Sequence, residues 1–144
     1  MATTKHISDF TPQDREEILE RLHAFWHIWE HDAAVDEAST FYSHDSDVNI
    51  WDGTAVRGPS WENYGPLQQP FLDELESLKN EGVGEVQILQ QGDLVVTIAK
   101  LRNVGKTTEG ESFDTTMRET LVWTKQDGTW RVIHEHSSPL PSNE

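Results

Sequence analysis

The chain has 144 residues, no cysteine, and 11 Lys plus Arg against 26 Asp plus Glu, for a formal charge of -15. This length suits one compact domain with a sizeable core, and the missing cysteines exclude a disulfide framework, thiolate catalysis and a thiolate metal site. The acidic surface repels phosphate backbones and anionic membranes, so neither nucleic acid nor a membrane is an expected partner.

No apolar run approaches the roughly 20 residues of a membrane span. The start, Met1 to His6, lacks the apolar stretch of a secretory signal, so a cytoplasmic location is expected. Six Trp and five Phe set among regular turn signals argue against disorder. One domain over 1–144 is expected, with an ordered core of about 8–138.

The first element reads as a helix. Thr11-Pro12 supplies an N-cap followed by proline at the first helical position, and Asp14, Glu16 and Glu17 fill the first turn with negative charge. Ile18, Leu19, Leu22, Phe25, Trp26 and Trp29 then form one helical stripe. A shorter helix is expected over Ala33 to Tyr42, a strand over Asp47 to Trp51 and a loop over Gly53 to Pro59. A third helix is read over Ser60 to Leu78, with Trp61, Tyr64, Leu67, Phe71, Leu75 and Leu78 inward and an early break or kink at Pro66 and Pro70. Strands follow over Val83 to Gln90, Leu94 to Asn103, Phe113 to Lys125 and Trp130 to Ser137. Helices followed by a run of antiparallel strands make an α+β domain, a curved antiparallel sheet with three N-terminal helices forming a cone around a central pocket.

The last turn sets the expected site. A three-residue loop Gln126-Asp127-Gly128 would pair Lys125 with Thr129, Val122 with Val132, Thr120 with His134 and Arg118 with His136, whereas a two-residue turn would place His134 beside Leu121; the first register is favoured because it gathers the polar residues. Arg118, Thr120, His134 and His136 would then share one sheet face, with Glu119, Leu121, Trp123, Ile133 and Glu135 on the other. The polar quartet is read as a donor cluster inside the cone, against a plainer reading as half-buried sheet residues. Arginine binds a carboxylate or enolate bidentately, and histidine carries protons near neutral pH.

The string Asp127-Gly128-Thr129-Trp130-Arg131-Val132-Ile133-His134-Glu135-His136-Ser137, after Thr116 to Trp123, resembles the closing hairpin of SnoaL-like proteins in the nuclear transport factor 2-like superfamily. That superfamily includes ketosteroid isomerases, polyketide cyclases, limonene epoxide hydrolase and the association domain of calcium/calmodulin-dependent kinase. The resemblance implies a cone fold, no cofactor, and dimers that pack sheet to sheet. It also implies a base Asp at the end of the first strand, which here is Asp52. The isomerase oxyanion hole uses a helix-1 Tyr, where this chain has Trp26, and a protonated Asp on the penultimate strand, matched to Thr120. Steroid isomerisation is therefore not expected. The kinase association domain ends in a similar His-x-His string, so the motif marks the fold and not one reaction.

His23, His27 and His31 recur at four-residue spacing; His27 points almost directly away from the apolar stripe, and the three read as a solvated face and not a metal site. The resulting expectation is a small-molecule-binding protein, in the first instance a cofactor-free isomerase, cyclase or hydratase acting by proton transfer on a small apolar ligand. Asp52, His134 and Arg118 are its expected catalytic residues, and Trp26, Tyr42, Trp61, Tyr64, Thr120 and His136 its ligand contacts. The alternative is a non-catalytic ligand binder or homo-oligomeric assembly module. Leu121, Trp123 and Ile133 are read as an apolar outer stripe that a homodimer would bury.

Overall fold

The computed structural model describes residues 12–31, 34–45, 49–51, 57–58 and 60–141. Helix α1 (Pro12–Ile28) carries the stripe foreseen in the sequence, with Ile18, Leu22, Phe25 and Trp26 buried. Helix α2 is only Ala34–Ala38. The chain beyond it lies beside the last strand, where Tyr42 bridges Val132 in parallel and the Ser43 N–H donates to the Val132 carbonyl at 2.9 Å. Short strands β1 (Asn49–Trp51) and β2 (Arg57–Gly58) precede helix α3 (Trp61–Asp73). Four long strands follow: β3 (Leu75–Gln91), β4 (Leu94–Thr107), β5 (Ser112–Gln126) and β6 (Thr129–Pro139).

The sheet order is β2-β1-β6-β5-β4-β3. The four long strands are antiparallel neighbours, but β1 joins β6 in parallel, so one edge of the sheet departs from the expected all-antiparallel arrangement. The helices cover one sheet face. Phe25 of α1 meets Trp123 of β5 edge-on, with ring centroids 6.0 Å apart, and Val95, Leu121, Trp123 and Val132 are fully buried beneath it.

Two corrections share one physical cause. The third helix runs through Pro66 and Pro70 and ends at Asp73, so Leu75 and Leu78 belong to β3. Their three-residue spacing imitates a helix because a bulge lies between Leu75 and Ser77 in the pairing with β4. The extra residue brings both leucines to the cavity side of the sheet. The closing hairpin behaves likewise. Its turn has two residues, Asp127 at φ 52 and Gly128 at φ 80, the pair of left-handed positions that a tight hairpin needs. Lys125 therefore pairs with Trp130 instead of Thr129, and Trp123 with Val132. Ile133 is then extruded, so that Val122 pairs with His134, Thr120 with His136 and Arg118 with Ser138.

The two-residue turn sets Trp130 and Val132 on the face of Leu121, Trp123 and Glu119, the bulge then brings Glu135 and Ser137 onto it, and that face is buried. Arg118, Thr120, His134 and His136 do share one face, as expected, but it is the face away from the helices: Arg118 and His136 are exposed, and Thr120 and His134 half-buried. The expected outer stripe is inverted in the same way. Leu121 and Trp123 have no exposure, and Ile133 packs against the core.

Candidate functional site

Between α1, α3 and the concave sheet face lies a cavity of about 490 Å³. Helix α1 contributes Phe25 and Trp26 to its wall, the turn after it Trp29, and α3 Tyr64, Gln68, Phe71 and Leu72. The sheet supplies Leu78 and Asn80 from β3, Leu101 and Asn103 from β4, Thr115, Met117 and Glu119 from β5, and Glu135 and Ser137 from β6. The wall is apolar and aromatic, with carboxyl groups set into it.

Glu119 is the central group. It is 6% exposed, and its Oε1 accepts a hydrogen bond from Trp26 Nε1 at 2.8 Å. Burial disfavours its anion and pushes its pKa up to about 7, against the smaller opposing pull of the Trp26 hydrogen bond. The carboxyl can therefore hold or release a proton close to neutral pH.

Glu135 lies two strand positions along on β6, since it pairs with Leu121 while Glu119 pairs with Ser137. Its Oε1 accepts from the Tyr42 hydroxyl at 2.5 Å. Tyr42 has no exposure, and its pKa is raised well above the ordinary value, first by burial and then by the charges of Glu135 and Tyr64. It remains a neutral hydrogen-bond donor. Its ring stacks on Trp61 at 4.7 Å, and both rings pack against Tyr64 of the cavity wall.

The Trp26–Glu119 pair is held by a second polar layer. Asn80 Nδ2 donates to the Trp26 carbonyl at 2.8 Å, and Asn103 Nδ2 donates to Asn80 Oδ1 at 2.7 Å. The Asn80 N–H donates to Glu30 Oε2 at 2.6 Å, which ties the turn after α1 to β3. Trp26 lies close against the strand because residue 82 is glycine: a Cβ there would come within 2.7 Å of the indole.

Among the residues singled out in the sequence, Trp26 and Tyr64 line the cavity, and Tyr42 and Trp61 pack directly behind it. Arg118, Thr120, His134 and His136 lie across the sheet from it. Asp52 falls outside the described residues. Sequence reasoning missed Glu119 and Glu135 because they sat on the face assigned to the exterior. The signal was present in their alternation with Leu121 and Trp123, since a face that rich in large apolar groups is the one helices cover. His23 and His27 border a separate cavity of about 290 Å³ on the other side of Trp26, and His27 Nδ1 lies 3.0 Å from Glu30. Among the described residues, no group of three or more His, Cys, Asp and Glu is arranged to hold a metal, and no helix is long and apolar enough to cross a membrane.

Residues 80–141 match the sequence model of the calcium/calmodulin dependent protein kinase II association domain. No curated protein matches the chain by sequence. Solved structures of similar shape include a candidate dehydratase of the NTF2-like family from Streptomyces avermitilis, at 14% identity and TM-score 0.77, covering 92% of this chain and 100% of that one. A nuclear transport factor 2-like superfamily protein from Salmonella enterica serovar Typhimurium gives 17% identity and TM-score 0.76, over 90% and 92% of the two chains. A candidate calcium/calmodulin dependent protein kinase II association domain from Xanthomonas campestris gives 21% identity and TM-score 0.69, over 86% of each. With its helices laid over a curved sheet around a hollow interior, the chain has the cone fold of the nuclear transport factor 2-like proteins.

Proposed function

We propose that the chain binds a small, largely apolar molecule in the cone cavity and moves a proton on it without a cofactor, as in isomerisation, dehydration or cyclisation. The observation that carries this reading is the Glu119 carboxyl, buried in the cavity wall with a pKa of about 7. A group so poised accepts a proton from carbon or oxygen and returns it with little driving-force penalty. The Trp26 N–H orients its carboxyl, and the apolar and aromatic wall offers a surface for the body of the ligand. The dehydratase name of the Streptomyces relative suits this class of chemistry. The test is a panel of ring-containing ketones, enols and β-hydroxy carbonyl compounds turned over by the wild type, Glu119→Gln and Asp52→Ala. Glu119→Gln is expected to lose about 10²-fold or more in kcat. Equal turnover by wild type and Glu119→Gln would remove that carboxyl from the mechanism.

A second reading, a homo-oligomeric assembly module, is favoured by the association-domain match over 80–141. Copies pairing through the sheet would then use the face bearing Val96, Ile98, Val122 and Thr120, because Leu121 and Trp123 lie under the helices. Sedimentation of a monomer at micromolar concentration would dispose of this reading.

A further inference from the structure

We propose that the cavity selects organic cations, small aryl or alkyl ammonium compounds, over neutral and anionic molecules of the same shape. The inference rests on the small-molecule reading of this cavity and adds its ligand class. Three observations on the wall carry it.

The first is the absence of any countercharge for an anion. Among the described residues, no Lys, Arg or His lines the cavity, whereas Glu74, Glu119 and Glu135 do. A carboxylate or phosphate entering here would sit beside buried acids with no cationic side chain among the described lining residues to offset it. The arginine once expected to greet such a ligand, Arg118, is exposed on the far side of the sheet.

The second is the aromatic content of the wall. Phe25, Trp26, Trp29, Tyr64, Phe71 and Phe113 all border the same space. Aromatic faces attract an ammonium or quaternary nitrogen through their quadrupoles, most strongly where water is excluded. They hold the apolar body of the ligand as well.

The third is the state of Glu119. It is 6% exposed, it borders the cavity, and its Oε1 accepts a hydrogen bond from Trp26. A buried carboxyl is costly as an anion where, among the described residues, no cationic side chain lines the space beside it. An ammonium group delivered beside it supplies that partner, and the pair forms a charge-assisted hydrogen bond in a site already desolvated. A neutral ligand leaves the cost in place, and an anion adds to it. The formal charge of -15 also raises the local concentration of cations at the mouth.

The experiment is calorimetric titration of the full chain at neutral pH with three naphthalene probes that differ only in the polar group: 2-naphthylmethylammonium, 2-naphthylmethanol and 2-naphthoate. Because it measures binding alone, it is independent of any turnover. The ammonium is expected to bind about tenfold more tightly than the alcohol, and the carboxylate most weakly. Glu119→Gln keeps a carbonyl for Trp26 and should bring the ammonium down to the affinity of the alcohol. Asp93→Asn, which removes the same charge from the exposed β3–β4 turn, should change neither. An ammonium no tighter than the alcohol, or a carboxylate as tight as the ammonium, overturns the cation assignment and leaves the small-molecule reading standing. An unchanged preference in folded Glu119→Gln also overturns it. Absence of binding by all three probes overturns the cavity reading and this inference together. The wild-type ranking decides the matter by itself should the variant fail to fold.

Discussion

Replacing Glu119 by Gln should make the protein more stable at neutral and alkaline pH, and the gain should vanish in acid. In the unfolded chain this carboxyl ionises around its ordinary value of 4.5, and in the folded protein burial raises that to about 7. Between those values the unfolded chain has already given up its proton while the native state keeps it. Folding stability from this group therefore falls as pH rises through that window and levels off above it. Each pH unit of separation is worth about 1.4 kcal/mol, so the full penalty is on the order of 3 kcal/mol above pH 7. Gln keeps the carbonyl that accepts from Trp26 Nε1 and carries no charge to bury. Urea unfolding of wild type and variant at pH 4.5, 6 and 8 should show a difference of a few tenths of a kcal/mol at the first and on the order of 3 kcal/mol at the last. Subtracting the two proteins removes the acid response of the other carboxylates. A difference that is flat with pH would refute the argument, since it would mean that the carboxyl titrates alike in both states. A variant less stable than wild type at pH 8 would show that the Trp26 bond outweighs burial.

Two further outcomes test the packing. Trp123→Glu should fail to fold at all, because it removes a fully buried indole, a loss of about 3–5 kcal/mol even to alanine, and adds a charge under α1; a cooperative native-like circular dichroism melt from this variant would mean that Trp123 faces solvent. Gly82→Ala should lower stability by about 1–3 kcal/mol through overlap with the Trp26 ring, read as a lower urea midpoint at unchanged slope, and an unchanged midpoint would show that the indole yields freely.

The helical stripe of α1 was readable because Ile18, Leu22, Phe25 and Trp26 repeat with the period of the element that buries them. The α+β order was readable for a similar reason, since the strands are long and their turns carry glycine. What misled was the extra residue in a strand. Glu76 turned two leucines of one strand face into an apparent helical pair, and Ile133 changed the phase of β6 without any mark in its own chemistry. The candidate site suffered from a different assumption, that a cluster of Arg and His marks the interior. Burial followed apolar volume instead: Trp123 and Leu121 set which side the helices cover, and Glu119 and Glu135 went in with them. The Trp26–Glu119 bond joins residues 93 positions apart, and no local pattern announces such a pairing.

The extruded Ile133 also separates two properties that usually change together. Strand β6 above it and below it keeps its own alternation, so Trp130 and Val132 serve the core while Glu135 and Ser137 furnish the cavity wall. Deleting this one residue would leave every inward side chain inward, because the pairing on either side of it would close up without a change of phase. It would, however, take out the local bend that an extra residue imposes on its strand. The curvature of the sheet beside the cavity is thus set at position 133 separately from which groups face the interior.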